Sequence, residues 1–396
     1  MVESVSEFGE RLRSWLEDNL GPGVEATGWS AEDRRRTTQA MFDAGFIGTT
    51  WPVEYGGRGL SSEYQTEYNN AVGARKALLA NDQVTVGICA PTVFDCGTEA
   101  QRQTYLQRML RGDDSWTQLL SEPGAGSDLA GVTTRAVLDG DEWVVNGQKV
   151  WTSAAVGATY GLALVRTDSD LPKYAGISTL IIPMDSPGVD VRPLKQMSGD
   201  SDFNEVFLDN VRVPKDNLLG ELNDGWAVLG KMLTHERIAL SAGTISSSMV
   251  SDEFDALLAL AQARGVVNRP DVRHVLSEIY MQQKLLDFTG IRMRRALDAK
   301  APMGPVGSIG KIGAAKLARL TGEANILIGG ESTVAWRETD SLSPKHARAL
   351  LRFPIVGIAG GTTEIQKNVV AERVLGLPRE RRADRDTPFR DIPKNR

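Results

Sequence analysis

Apolar residues recur at helical spacing over the first hundred positions and again after position 225, and they alternate strand-like in between. Near the start, Val5, Phe8, Leu12, Trp15, Leu16 and Leu20 fall three or four apart, which predicts an amphipathic helix. Ser30 with Asp33 three positions later predicts an N-cap that opens a second helix. Thr49-Thr50-Trp51-Pro52 and Tyr55-Gly56-Gly57 predict a loop. Helix returns over 61–79 and over 98–111, the latter with Tyr105, Leu106, Met109 and Leu110 on one side.

Near Asp113 the period changes. Segments 116–120, 132–138, 142–145, 161–166, 177–182, 189–191 and 203–208 predict strands, and Asp139-Gly140-Asp141 is a hairpin signal. From Gly225 the helical spacing resumes, with long helices predicted over 226–243, 252–263, 271–297, 309–327 and 363–375. Pro302, Pro305 and the pair Gly329-Gly330 mark turns between them. Helices, then strands, then helices predict an α+β protein with segregated layers. The expected division is a helical domain at 1–113, a β domain at 114–222 and a helical bundle at 223–396.

Composition narrows the function classes. The chain has 396 residues, 41% of them apolar and 24% charged, enough for two or three domains with a large core. A net charge of −6 without a basic stripe argues against a nucleic-acid partner. The apolar runs are strand-sized, so no membrane span is expected. Residues 1–10 carry three glutamates and no basic residue, unlike a targeting segment. Cys89 and Cys96 lack metal-ligand spacing, and His235, His274 and His346 are scattered, so neither disulfide staples nor a metal site is expected. A reducing cytoplasm fits that usage. The chemistry is therefore left to carboxylates, hydroxyls or an organic cofactor.

Five segments could carry it. Ser121-Glu122-Pro123-Gly124-Ala125-Gly126-Ser127-Asp128 follows a strand, and its glycines would let backbone N–H groups approach a polar ring system. In Asn146-Gly147-Gln148-Lys149-Val150-Trp151-Thr152-Ser153, Trp151 and Ser153 share one face of an extended chain. There an aromatic ring could stack on a flat cofactor, and a hydroxyl could bond a ring nitrogen. A packed Trp with a solvent-facing Ser is the plainer alternative. The third segment, Phe203 to Leu208 with Val211-Arg212-Val213-Pro214, reads as a strand and exit loop. The fourth, His235-Glu236-Arg237, lies in a long helix among Leu233, Ile238 and Leu240. The fifth, Ala359-Gly360-Gly361-Thr362-Thr363-Glu364-Ile365-Gln366, sets glycines before a helix, where free N–H groups point outward.

In this order and spacing, the segments resemble the acyl-CoA dehydrogenase family over nearly the whole chain, from Trp51-Pro52 to Leu375-Gly376. The resemblance implies an N-terminal helical domain, a middle β-barrel and a C-terminal helical bundle. It implies FAD at a subunit interface of a tetramer, and an electron-transferring flavoprotein as acceptor. It further implies α,β-desaturation of an acyl-CoA thioester, the α proton passing to a carboxylate and the β hydride to flavin N5. Residue by residue, Leu120, Ser121, Trp151 and Ser153 fall on flavin contacts, and Ser127 falls on the acyl-CoA thioester arm. Thr362 and Glu364 fall on contacts to the FAD nucleotide. The Gly360 N–H falls on a donor to the thioester oxygen.

Three departures qualify the resemblance. Most members place the catalytic Glu at the position occupied here by Gly360. A minority, the isovaleryl-CoA and long-chain types, place it on the long helix before an Arg, as in Glu236-Arg237. That match makes Glu236 the expected base and Arg237 a candidate substrate contact. Second, Ala359 and Gly360 stand where the family often has Tyr-Glu, which predicts a wide pocket for a branched or polycyclic acyl chain such as a steroid side chain. Third, Ala263-Arg264-Gly265-Val266-Val267 replaces the Arg-x-x-Phe-Gly segment that reaches a neighbour's FAD, and Asn325 to Gly330 lacks the usual glutamine. Either Arg264, Arg269 or Arg273 substitutes in a homotetramer, or a paralogous subunit completes a heterotetramer. Gly307-Ser308-Ile309-Gly310-Lys311 resembles members of the paired-subunit kind. The alternatives are a non-catalytic or partner-dependent subunit, and a flavin oxidase or monooxygenase of the same fold.

Overall fold

Ser4 opens the first helix with a capping box: its side chain accepts the Glu7 N–H, and the Glu7 carboxylate accepts the Ser4 N–H at 2.7 Å. In this computed structural model, which describes residues 3–21, 29–73, 75, 79, 82–241, 253–299, 306–335, 343–380 and 384–393, the same device recurs at Ser30 and Thr98. The chain divides into two units. The first holds Met1–Leu194, Asp202–Met232 and Arg385–Arg396; the second holds Lys195–Ser201 and Leu233–Asp384.

The first unit begins with helices α1 (Val5–Leu20), α2 (Ala31–Asp43), α3 (Ser62–Val72), α4 (Ala90–Cys96) and α5 (Glu99–Arg111). The predicted stripe is the buried one: Phe8, Leu12, Leu16 and Leu20 pack with Met41, Phe46, Tyr68 and Val72. On α5, Gln101 Nε2 donates to the carbonyls of Asp216 (2.8 Å) and Leu218 (2.9 Å), joining the helices to the sheet.

Eight strands follow: β1 (Trp116–Leu119), β2 (Arg135–Asp139), β3 (Glu142–Ser153), β4 (Tyr160–Arg166), β5 (Ile177–Pro183), β6 (Val189–Leu194), β7 (Phe203–Pro214) and β8 (Leu218–Leu219). They run in the order β6-β7-β3-β2-β4-β5-β8, with β1 parallel to β4. The barrel expected from the resemblance is not closed among the described residues. The outer strands β6 and β8 do not pair, and β8, only two residues long, offers no ladder to close on. β2 and β4 meet through a single pair, Arg135 with Arg166. Val145, Ala163, Val165, Leu180, Ile182, Val206, Leu208, Val211 and Val213 form the sheet's core.

The second unit is helical: the latter part of α6 (Gly225–Ser241), then α7 (Glu253–Ala263), α8 (Pro270–Asp298), α9 (Val306–Gly329), α10 (Ser343–Ile358) and α11 (Thr363–Arg373). Leu257, Leu260, Val272, Leu276, Ile279, Leu317, Leu320 and Ile328 make its core. The expected turn at Pro302 and Pro305 lies outside the described residues. Helix α10 is not legible in the spacing, because Pro354 sits inside it. Its packing on α9 requires Gly322, where a Cβ would come within 2.8 Å of the Phe353 ring. Among the described residues, no helix is long and apolar enough to cross a membrane.

The last residues return to the first unit. Phe389 is buried, its N–H donates to the Leu171 carbonyl at 2.9 Å, and the Arg166 guanidinium lies 3.8 Å from its ring centroid. Phe389→Ala removes a buried ring from beneath a buried cation. It should lower stability by about 3 kcal/mol, read as a shifted denaturation midpoint with an unchanged slope.

Candidate functional site

The strand β3 does not run straight. Its register with β7 shifts between Lys149 and Thr152, and Trp151 sits in this bulge at φ +61, a conformation uncommon for any residue but glycine. The bulge turns the indole outward: Trp151 is 62% exposed, braced edge-on by Phe203 at 6.1 Å between ring centroids. Thr152 is buried, and Trp151 and Ser153 on either side of it are both exposed. Thr117 on β1 donates its hydroxyl to the Ser153 carbonyl at 2.7 Å and holds that end in place.

Leu120 and Ser121, just past the end of β1, lie beside this bulge. The Val150 N–H donates to the Ser121 carbonyl at 2.9 Å, and Lys149 Nζ to the Leu120 carbonyl at 3.1 Å. The loop after them folds back on itself through paired hydrogen bonds between Glu122 and Ala125. It leaves Gly124, Gly126 and Ser127 exposed, with open space where Cβ atoms of the two glycines would stand.

Beneath the loop lies a buried charge network to which the sequence reading assigns no role. Lys149, fully buried, donates to Glu122 Oε1 at 2.9 Å and to the Leu164 carbonyl at 2.6 Å. Glu122 also accepts from the Thr133 N–H (2.7 Å), the Thr133 hydroxyl (2.8 Å) and the Thr134 N–H (2.9 Å). Burial pushes the Glu122 carboxyl up, but the Lys149 ammonium and the threonine hydrogen bonds outweigh it and hold the group below the usual carboxylate range. Burial pulls the Lys149 ammonium down, with the Glu122 carboxylate opposing. Arg166, also buried, donates to the Ala130 and Lys173 carbonyls at 2.7 Å each, and burial pushes it down to about 10. The lysine and glutamate were visible as motif letters, but their burial was not.

The remaining candidates belong to the second unit. Glu236 is partly buried on α6; the Arg237 side chain lies outside the described residues. Lys311 on α9 is buried and donates to the Val356 carbonyl on α10. Burial lowers its pKa, and the negative charge of Glu236 opposes that, so the two charges sense each other within this unit. The hydrogen-bond ladder of α10 ends with Ala359 donating to Ile355, and Gly360 and Gly361 then turn the chain at φ +66 and +84. Gln366 Nε2 closes the turn onto the Gly360 carbonyl at 2.8 Å, and Thr362 caps α11 by accepting the Ile365 N–H. Glu364 is exposed in the first turn of α11.

An exposed, braced tryptophan thus stands beside a hydroxyl and a glycine-rich loop at the bulge of β3. Three family models match the chain: the acyl-CoA dehydrogenase N-terminal, middle and C-terminal domains, over residues 3–113, 117–211 and 223–375. The chain belongs to the acyl-CoA dehydrogenase family, a family of oxidoreductases. It is 35% identical over 397 residues to acyl-CoA dehydrogenase IpdE1 of Mycobacterium tuberculosis, covering 96% of this chain and 99% of that one. Among solved structures, it resembles the Tcur3481-Tcur3483 steroid ACAD at 31% identity with a TM-score of 0.80, covering 95% of this chain and 98% of that one. It also resembles the ChsE4-ChsE5 complex of M. tuberculosis at 29% identity with a TM-score of 0.78, covering 96% and 100%.

The Glu122 carboxyl ties a pH dependence to this site. Its pKa is lowered on folding, so its contribution to stability is present above the ordinary carboxylate value of 4.5 and is lost as pH falls through the folded value. The double variant K149M/E122Q, which leaves neither charge alone, should therefore lose less stability than wild type when the pH is lowered from 7 to 3, as measured by denaturant titration across that range.

Proposed function

We propose that the protein desaturates a bulky acyl-CoA thioester, such as one carrying a steroid side chain, with FAD as cofactor and Glu236 as the base. The observation that carries the reading is the outward Trp151, held at a positive φ beside Ser153, Leu120 and Ser121. An exposed indole on a strained bulge is costly unless a flat partner covers it. These residues fit an isoalloxazine ring, and bound FAD would supply the hydride acceptor at N5. Ser127, on the exposed loop, would meet the thioester arm. Thr362 and Glu364, at the start of α11, would meet the FAD nucleotide.

Glu236 would take the α proton as that hydride leaves, giving the enoyl-CoA. Charge would gather on the thioester oxygen as the proton leaves, and a preorganised N–H donor lowers the energy of that charge. The Gly360 N–H suits this role. Gly360 and Gly361 stand at positive φ just past the end of α10, so the chain leaves the helical path there. Ala359 and Gly360 add almost no side chain at that point, which supports a wide pocket. The similar solved structure named a steroid ACAD supports the same substrate class.

A second reading concerns assembly, and specific observations favour it. Arg264 donates to the Gly329 carbonyl at 3.0 Å, and Arg269 pairs with Asp271 at 2.6 Å. Two of the three arginines offered as substitutes for the missing Arg-x-x-Phe-Gly segment thus have local work. Along α8, Met281, Leu285 and Phe288 present a stripe of exposed apolar side chains, which suits burial against another subunit. We infer that a paralogous subunit completes the FAD site in a heterotetramer, with an electron-transferring flavoprotein as acceptor. Two of the similar solved structures are two-component complexes by name.

Mixing the flavin-loaded protein anaerobically with a panel of CoA thioesters tests the chemistry. Bulky or branched thioesters should bleach the flavin fastest, and Glu236→Gln should slow bleaching by about 10²–10⁴-fold with FAD still bound. Near-normal bleaching in that variant sinks the base assignment, and a preference for short straight chains sinks the pocket assignment. Assembly is tested by flavin content. The chain purified alone should carry little FAD, and co-expression with a paralogous subunit should restore it; a stable, active homotetramer with one FAD per subunit overturns the inference.

A further inference from the structure

β1 ends at Leu119, so Leu120 and Ser121 have no sheet ladder of their own. Their carbonyls are held instead by two consecutive residues of β3, Lys149 and Val150, which directly precede Trp151. Val150 can reach Ser121 because the β3–β7 register breaks at this point. Lys149 also grips Glu122, the next residue of the same segment, at 2.9 Å. Glu122 in turn fixes the Thr133 and Thr134 N–H groups at 2.7 and 2.9 Å, which anchors the far side of the loop carrying Ser127.

We propose that the buried Lys149–Glu122 pair is a positioning element that locks the Leu120–Ser121 rim to the Trp151–Ser153 rim, so that the two receive the flavin as one preformed clamp. This rests on the reading that those four residues meet the flavin.

A staple for the sheet alone would need only the Leu164 contact, because β4 is the strand to be held. Two of the three acceptors on Lys149 lie instead in the rim segment, outside any strand. Stability alone does not call for this arrangement either. Desolvating an ammonium and a carboxylate is expensive, and an apolar pair of similar size is often as stable or more so. What the ion pair adds is direction: an ammonium with three fixed acceptors sets where the Leu120 carbonyl stands relative to the indole two residues past the lysine. A rim held in its bound geometry loses little freedom when the ring arrives, which is how preorganisation raises affinity.

The test is FAD binding to full-length apoprotein, together with whichever subunit it needs, for wild type, Lys149→Met and the double variant K149M/E122Q, in which no charge is left alone. Melting of the apoprotein reports the fold. The expected result is an unchanged melting temperature in the double variant with FAD affinity weakened about tenfold, equivalent to about 1.4 kcal/mol, and a shifted visible spectrum of the bound flavin. Hydrogen exchange on wild type supplies a readout that needs no variant: adding FAD should protect residues 120–125 and 149–153 together. Wild-type affinity and spectrum in a folded variant, or protection of only one of the two segments, overturns the inference while leaving the flavoprotein reading intact. A wild type that takes up no FAD under any pairing overturns the flavoprotein reading itself, and this inference with it.

Discussion

A fully buried ammonium can persist only where oxygens surround it, and the middle of the first unit is arranged around that requirement at Lys149. Its three acceptors come from the segment after β1, from the Glu122 carboxylate and from β4. Two parts of the chain, about 15 to 30 residues from the lysine in sequence, are thereby brought to its strand. The glycine-rich loop, the bulge at Trp151 and the sheet cannot shift independently without leaving a charge unpaired, and such a loss costs several kcal/mol. Arg166 repeats the arrangement one layer away, where its carbonyl acceptors and the Phe389 ring tie the end of the chain to the same sheet.

The second unit uses a similar device with a different outcome. Lys311 is buried, takes a carbonyl near the end of α10 and senses the charge of Glu236. A carboxylate on the long helix α6 gains a cationic neighbour, while the chain after α10 turns through two glycines with little side chain at the turn. The arrangement suits the base proposed for Glu236: the turn at Gly360 keeps its backbone, and the carboxylate stands on a helix near a buried cation.

Assembly is the other constraint. The proposed heterotetramer rests on the exposed apolar stripe on α8 and on the local engagement of Arg264 and Arg269. FAD carries a pyrophosphate, and a cationic or N–H partner for it must come from somewhere. On the proposed reading, with Arg264 and Arg269 engaged locally, a neighbouring subunit supplies it.

Local rules settled much of this protein in advance. The capping box at Ser30, the apolar stripe of α1 and the Asp139-Gly140-Asp141 hairpin are short-range patterns, and each appears where the spacing predicts. The segments that mark the family were legible too, because each keeps its residues adjacent in sequence. Tertiary structure decided the rest. Among the described residues the sheet stays open, with β6 and the two-residue β8 not paired to each other, a matter of pairing between distant strands. Helix α10 exists despite Pro354 because Gly322 admits Phe353 against α9. Lys149 and Glu122 read from sequence as ordinary charged letters, since nothing local reports burial. Their roles appear only when strands far apart in sequence enclose them, and desolvation then obliges the two charges to meet.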